Sequence, residues 1–311
     1  MSLEIVETFG YRSGDRSDAA EAQRRSKICP FLRKPCWKTF RSGGQISGTC
    51  TVKPPQGEEV IVCPDRLYAH DFRILRDVAA DAFGAGFRLV GPSDIAGTQG
   101  ERSRVVVFGK RWGKELRVPK SDEDGKAFSA DWILARVTES GKVEEFVPVE
   151  VQSMDTTGSY QREWCELFGL QLPDGCNPKS SNINWENVNK RIIPQLLVKG
   201  NVFGNEPLCR KGLYFICPAP VYQRLTMRLG AKLSQRPKQP TALTFRWYKL
   251  AEASALGEIR ELEFANQFTT TVENLKEAFN STLNLPSMGA MAEKIQKALD
   301  QALKGKKKQK R

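Results

Sequence analysis

Between Arg66 and Phe83 the residues Leu67, His70, Ile74, Leu75, Val78 and Ala82 fall on one face of a helical repeat, which predicts an amphipathic helix. Short apolar runs at Phe87–Val90 and Val105–Phe108 predict strands. Asp131–Val137 and Val143–Gln152 predict two more, joined through Thr138–Lys142 as an antiparallel hairpin. Beyond them the pattern predicts a helix around Trp185–Leu197, a strand at Leu213–Cys217 and a helix near Val221–Leu229. A strand at Thr241–Leu250 and helices at Val272–Asn280 and Met288–Leu303 complete the set. Pro194 should kink the helix around Trp185–Leu197 or end its regular hydrogen bonding. Strands and helices are interspersed and the main hairpin is antiparallel, so the expected class is α/β (α+β) with a mixed sheet. No internal repeat is visible.

Two stretches lack this periodicity. Residues 1–27 are polar and read as a flexible N-terminal segment. Residues 28–65 carry four cysteines, several prolines and the run Ser42-Gly43-Gly44, and read as a small module ahead of a body at 66–303 and a basic tail at 304–311.

Charge adds a partner class. The 311 residues include 48 Lys plus Arg against 36 Asp plus Glu, a formal net charge of +12. Six of the basic residues lie in the tail (Lys304, Lys306, Lys307, Lys308, Lys310, Arg311), and the remainder of the chain is still basic. Such a balance either serves solubility or favours a polyanion, nucleic acid first and an anionic membrane surface second. His70 is the single histidine, which excludes mechanisms needing several. No apolar run approaches the roughly 18 residues of a membrane span, and the N-terminus has acids in place of a signal-peptide core. An intracellular, cytoplasmic protein is expected.

Cys29, Cys36, Cys50 and Cys63 lie close together, with intervening stretches of 6, 13 and 12 residues. In a reducing compartment this density reads as metal ligation, with four buried free thiols as the alternative. Four thiolates make a closed tetrahedral site for zinc or iron, structural because no coordination position stays open. Cys29-Pro30, Pro35-Cys36 and Cys63-Pro64 place prolines where they stiffen the turns that aim the sulfurs. Cys165, Cys176, Cys209 and Cys217 are scattered and read as buried thiols.

The hairpin carries the candidate chemistry. If Ser140-Gly141 is a two-residue turn, Glu139 pairs with Lys142 and paired numbers sum to 281, which sets Asp131 opposite Glu150. Opposed Cβ atoms lie about 4.5–5.5 Å apart, and Gln152 falls on the same face two residues on. Two facing carboxylates repel unless a cation lies between them, so the pair is a candidate divalent-metal site. A pair of solvated acids at strand ends is the plainer alternative. The pattern Asp…Glu-x-Gln resembles the PD-(D/E)XK nuclease core, in which the third residue is usually lysine. An amide orients water but cannot take its proton, so the base must be metal-bound hydroxide, a substrate phosphate or another carboxylate.

Local sequence extends this resemblance. Glu150-Val-Gln-Ser-Met-Asp-Thr-Thr-Gly158, followed by Asn184-Trp-Glu-Asn-Val-Asn-Lys-Arg-Ile-Ile-Pro-Gln-Leu196, looks like the NotI-type restriction endonucleases, and the four-cysteine segment resembles that family's small iron-binding domain. The resemblance covers roughly residues 28–250. It implies a type II restriction endonuclease with a PD-(D/E)XK mixed-sheet core, hydrolysing phosphodiesters of double-stranded DNA at a GC-rich palindrome and leaving 5′-phosphate ends. Asp131 and Glu150 become Mg²⁺ ligands, Gln152 fills the lysine position, and a further acid of the family site maps to Glu115. Cys29, Cys36, Cys50 and Cys63 become ligands of a structural iron or zinc. Cutting both strands of a palindrome implies a homodimer, and host protection implies a cognate DNA methyltransferase. Asp155, Thr156 and Thr157 read either as a polar turn or as DNA contacts, and Lys190 and Arg191 lie on the helix face that could meet phosphates. The rival readings are a repair or structure-specific nuclease of the same core, a non-catalytic four-cysteine DNA-binding protein, and an RNA-binding protein.

Overall fold

The computed structural model describes residues 2–40, 44–98, 100–101, 103–109, 112–113, 115–118, 128–174, 180–230, 233–252, 255–281 and 287–308, with no side chains described from 303 on. Cys176, Ser42, Gly43, Lys310, Arg311 and the side chains of Lys304–Lys308 therefore lie outside the described residues. In chain order the strands are β1 (Glu4–Thr8), β2 (Tyr11–Arg12), β3 (Thr49–Lys53), β4 (Val60–Ile61), β5 (Arg88–Val90), β6 (Arg104–Gly109), β7 (Arg117–Val118) and β8 (Phe128–Ser129). They continue with β9 (Trp132–Val137), β10 (Val143–Val151), β11 (Thr156–Thr157), β12 (Asn182–Ile183), β13 (Leu213–Pro218), β14 (Ala242–Leu250) and β15 (Leu262–Thr271). The helices are α1 (Asp18–Ser26), α2 (Ala69–Phe83), α3 (Gln161–Leu167), α4 (Ile193–Gly204), α5 (Ala219–Leu229), α6 (Val272–Asn280) and α7 (Ala290–Lys308).

The expected mixed sheet is present, with strand order β15-β14-β13-β10-β9-β6-β5. β6, β9 and β10 form an antiparallel meander, while β13 runs parallel to β10 and β14 parallel to β13. β13 is buried along its whole length because helices cover both faces, which its apolar run Leu-Tyr-Phe-Ile-Cys-Pro permits. Alternate residues feed two cores. Val105, Val107, Trp132, Leu134, Val147, Val149 and Ile216 pack with Leu75 and Val78 of α2 on one face. Leu213, Phe215, Leu243 and Phe245 pack with residues of α4, α5 and α6 on the other. Among the described residues no helix is long and apolar enough to cross a membrane.

The N-terminal segment departs from expectation. Residues 4–26, read as flexible, contain β1, β2 and α1. β1 sits inside a four-stranded sheet ordered β2-β1-β3-β4, so the strand that carries Cys50 shares its sheet with the opening of the chain. Leu3 and Ile5 join one core and Cys29, Cys50 and Ile61 the other, so this small sheet is packed onto the body. Its polar sequence hid the strand because Glu7 and Thr8 are buried through specific partners instead of apolar contact.

Two helices differ in detail. The first begins as a 3₁₀ turn at Pro64–Tyr68 and then passes through left-handed backbone at His70, Asp71 and Phe72 (φ 56, 53 and 61°). The helix expected to end near Leu197 starts with a π turn at Val188–Ile192 and continues as α4 to Gly204. Pro194 lacks the N–H that regular α bonding needs, and the Ile193 N–H donates five residues back to Val188. The basic tail is not separate at its start, since α7 runs to Lys308.

Candidate active site

The hairpin register is the one that brings the acids together, reached by another route. Phe146 pairs with Ala135, Val147 with Leu134 and Val149 with Trp132, all summing to 281. The loop, however, closes on Thr138: its N–H donates to Lys142 O at 2.8 Å, and Gly141 takes φ 85°. Val143 consequently pairs with Val137, one off register, and a bulge before Glu145 restores it. Arg136 braces the bulge, with Nε 3.1 Å from Glu144 Oε2 and an Nη 3.1 Å from Glu145 Oε1.

Asp131 sits immediately before β9, where its Oδ2 accepts the Val151 N–H at 3.0 Å, so the carboxylate takes over the ladder at the open end of the hairpin. Glu150 points to the face opposite Val149 and Val151, toward α4. Its Oε1 lies 2.5 Å from Lys199 Nζ, with side-chain exposures of 13% and 19%. Burial and then the Asp131 charge push the Glu150 carboxyl up to about 7, against the pull of Lys199 and of an Asp131 backbone hydrogen bond. Gln152 is half-buried; its Nε2 donates to Ser153 O at 3.0 Å.

The wall behind Asp131 is aromatic. Trp132 is fully buried and donates from Nε1 to Tyr68 Oη at 3.1 Å, with Phe72 and Trp112 also packed on its ring. Gly109 makes this fit possible, because a Cβ there would come within 2.3 Å of the Trp132 ring and 2.7 Å of Asp131 O. Burial, followed by the Asp131 charge, holds the Tyr68 phenol well above its ordinary value. The carboxylates thus have a rigid aromatic wall, with a protonated phenol, on one side.

Other expected residues are placed as follows. Glu115 is exposed in the loop before β7, and among the described residues no contact ties it to Asp131 or Glu150. Asp155 accepts from Asn187 Nδ2 and from an Arg191 Nη, each at 2.9 Å. Thr156 and Thr157 pair with β12, which anchors this turn to the π turn. Lys190 pairs with Glu186 one turn earlier. His70 Nε2 lies 2.9 Å from Glu261 Oε2, away from the acids. Lys199 was missed, since a lone lysine in the run Leu-Leu-Val-Lys-Gly carries no sequence signal beyond being charged on an otherwise apolar stretch.

The four cysteines lie in two pairs. Cys29 and Cys36 flank a tight hairpin, Cys29 N–H to Lys34 O at 2.7 Å and Cys36 N–H to Lys27 O at 2.9 Å. Cys50 O accepts from the Val62 and Cys63 N–H groups across β3 and β4. All four are free thiols. Burial is the main cause that pushes each thiol up; a neighbouring Cys36 adds to Cys29, Cys63 adds to Cys50, and Asp65 and Cys29 add to Cys63, which reaches about 12. The couplings link the two pairs, and the soft donor set suits iron or zinc. Among the described residues, however, no three His, Cys, Asp or Glu side chains converge in a metal-holding arrangement. Asp65, buried beside the thiols and accepting from Trp37 Nε1 at 2.6 Å, is a further acid that the spacing of cysteines did not reveal. Cys165, Cys209 and Cys217 are buried as read.

Compared with known proteins, the chain matches no protein-family model and no curated protein.

Proposed function

We propose that this protein is a Mg²⁺-dependent endodeoxyribonuclease of the type II restriction class, built on a PD-(D/E)XK core and cutting double-stranded DNA as a homodimer. The observation that carries the reading is the open end of the hairpin, where Asp131 faces Glu150 and Glu150 stays raised to about 7 in spite of Lys199. Two carboxylates brought together supply hard oxygen ligands of the kind that suit Mg²⁺. The order helix α2, meander β6-β9-β10, helix α4, parallel strand β13 around those acids agrees with the same reading. The net positive charge suits a polyanionic substrate.

Asp131 and Glu150 would hold the ion. Bound there, a divalent ion polarises the scissile phosphate, eases deprotonation of the attacking water and offsets charge on the leaving oxygen. The Tyr68–Trp132 wall keeps the acids in place and excludes solvent from behind. Gln152 orients water without accepting its proton. Cys29, Cys36, Cys50 and Cys63 would hold a structural iron or zinc that draws the two cysteine pairs together.

The test is digestion of a GC-rich plasmid and of an unrelated genomic DNA with Mg²⁺, with EDTA, and with the variant Glu150→Ala, followed by sequencing of the ends. Discrete fragments that share one palindrome and 5′-phosphates, lost in the variant, are expected. Ends without a common sequence would assign the site to a repair or structure-specific nuclease. DNA bound and left whole in every arm would overturn the catalytic reading.

A further inference from the structure

Lys199 has an unusual position for a lysine. It projects from the sheet-facing side of α4 and is mostly buried, although a lysine elsewhere on the helix would reach water freely. Its backbone is held close to α6 and β14 by the next residue: a Cβ on Gly200 would come within 2.5 Å of Val272 Cγ2 and 3.1 Å of Leu243 Cδ2. One turn later Phe203 packs against Ala130, Ile133 and Cys209, which fixes α4 over the carboxylate end of the hairpin. The strand meanwhile offers Gln152, an amide engaged with its own neighbour's carbonyl.

We propose that Lys199 supplies, from α4, the cationic side chain that the strand lacks at position 152, and that it acts on the reacting phosphate. This rests on the nuclease reading given above. In the step, the water oxygen bonds to phosphorus and the P–O3′ bond breaks with its electron pair on O3′. O3′ takes up a proton, and the water's proton leaves to solvent. The ammonium stays protonated throughout and stabilises the added negative charge on the phosphoryl oxygens, a task an amide does poorly. Because Gly200 lets α4 pack closely on α6 and β14, the charge is preorganised and does not have to be recruited.

A counterion that only neutralises the acids makes a different prediction, because saturating metal would replace it. The experiment compares wild type, Lys199→Met and the double variant Lys199→Met/Gln152→Lys in single-turnover cleavage at saturating Mg²⁺, with Ca²⁺ titration by calorimetry and duplex affinity in Ca²⁺ alongside. Expected are a fall of about 100-fold in the Lys199→Met rate that excess Mg²⁺ does not repair, unchanged or tighter Ca²⁺ binding, and duplex affinity within about twofold. The double variant should regain about tenfold or more. A rate loss abolished by excess Mg²⁺, no rate loss, or no recovery in the double variant would overturn the proposal. Wild type that never cuts, or Glu150→Ala that still cuts, would overturn the nuclease reading itself and the inference with it.

Discussion

Two buried acidic groups in this molecule are treated in opposite ways. In the small N-terminal sheet, Glu7 accepts from Thr51 Oγ1 at 2.6 Å and from Arg66 Nε at 3.1 Å, with both Glu7 and Arg66 fully buried. A second Arg66 nitrogen reaches Glu7 Oε1 at 3.3 Å and Arg260 O at 2.7 Å, and the guanidinium lies over the Phe31 ring. Charge is matched one to one. At the hairpin, Glu150 also has a cation 2.5 Å away, yet its carboxyl stays raised to about 7 because burial and Asp131 outweigh it. A closed pair holds two parts of a fold together; at the hairpin, burial and a second carboxylate oppose ionisation of Glu150 despite its lysine. Under the proposed function, the difference separates a structural from a functional use of buried charge.

The largest effect that tests this contrast is on catalysis. Glu150→Ala should remove Mg²⁺-dependent cleavage by ~10⁴-fold or more, above ~5 kcal/mol in barrier, while thermal melting shows no loss of stability at pH 8. A clear drop in melting temperature would make Glu150 structural, like Glu7. Next comes the opposite substitution: Glu7→Ala leaves Arg66 buried without its carboxylate and should cost roughly 3–5 kcal/mol in urea unfolding. Replacing both by apolar residues should recover most of that loss, and cleavage by the folded double variant should match wild type.

The third effect is in pH. The folded state holds the Glu150 proton up to about 7, against an ordinary 4.5, so between those values it binds more protons than the unfolded chain. Stability of the metal-free protein should therefore fall as pH rises through that window, by roughly 3 kcal/mol at most. Glu150→Gln should flatten this limb, and so should Mg²⁺; a limb that survives the substitution belongs to other groups. The smallest effect concerns the tail. Truncation before Lys304 should weaken DNA binding alike for all sequences and make its salt dependence shallower, by about 0.9 in slope for each phosphate that the tail neutralises. An unchanged slope in a filter-binding series would remove the tail from the interface.

The candidate site was legible in the chain to the extent that it depends on period-two register. Asp131 and Glu150 come together because the strand register brings them there, and Val147, Val149 and Val151 mark the other face as core. What could not be read is what arrives from elsewhere. Lys199 comes from a helix that lies 49 residues along the chain from Glu150. Glu7 and Arg66 look like surface charges until their pairing across 59 residues is known. The strand β15 escaped notice because its sequence Leu-Glu-Phe-Ala-Asn-Gln-Phe-Thr-Thr-Thr has the polarity of a sheet edge, where one face and one row of backbone groups remain open. Strand β1 was overlooked for the converse reason, buried polar residues that carry no hydrophobic pattern.

The bulge before Glu145 also divides the hairpin by its tolerance of insertions and deletions. From Glu139 to Glu144 the chain already carries a one-residue offset and cancels it within a few residues. A residue inserted or deleted there can be taken up by loop and bulge together, so this end of the hairpin tolerates a change of length. Between Glu145 and Val151 there is no such slack. One residue more or less would turn Glu150 into the valine-lined core and a valine toward Lys199, exchanging a charged site for a hydrophobic one in a single step. Length variation in this molecule is therefore permitted on one side of Arg136 and forbidden on the other.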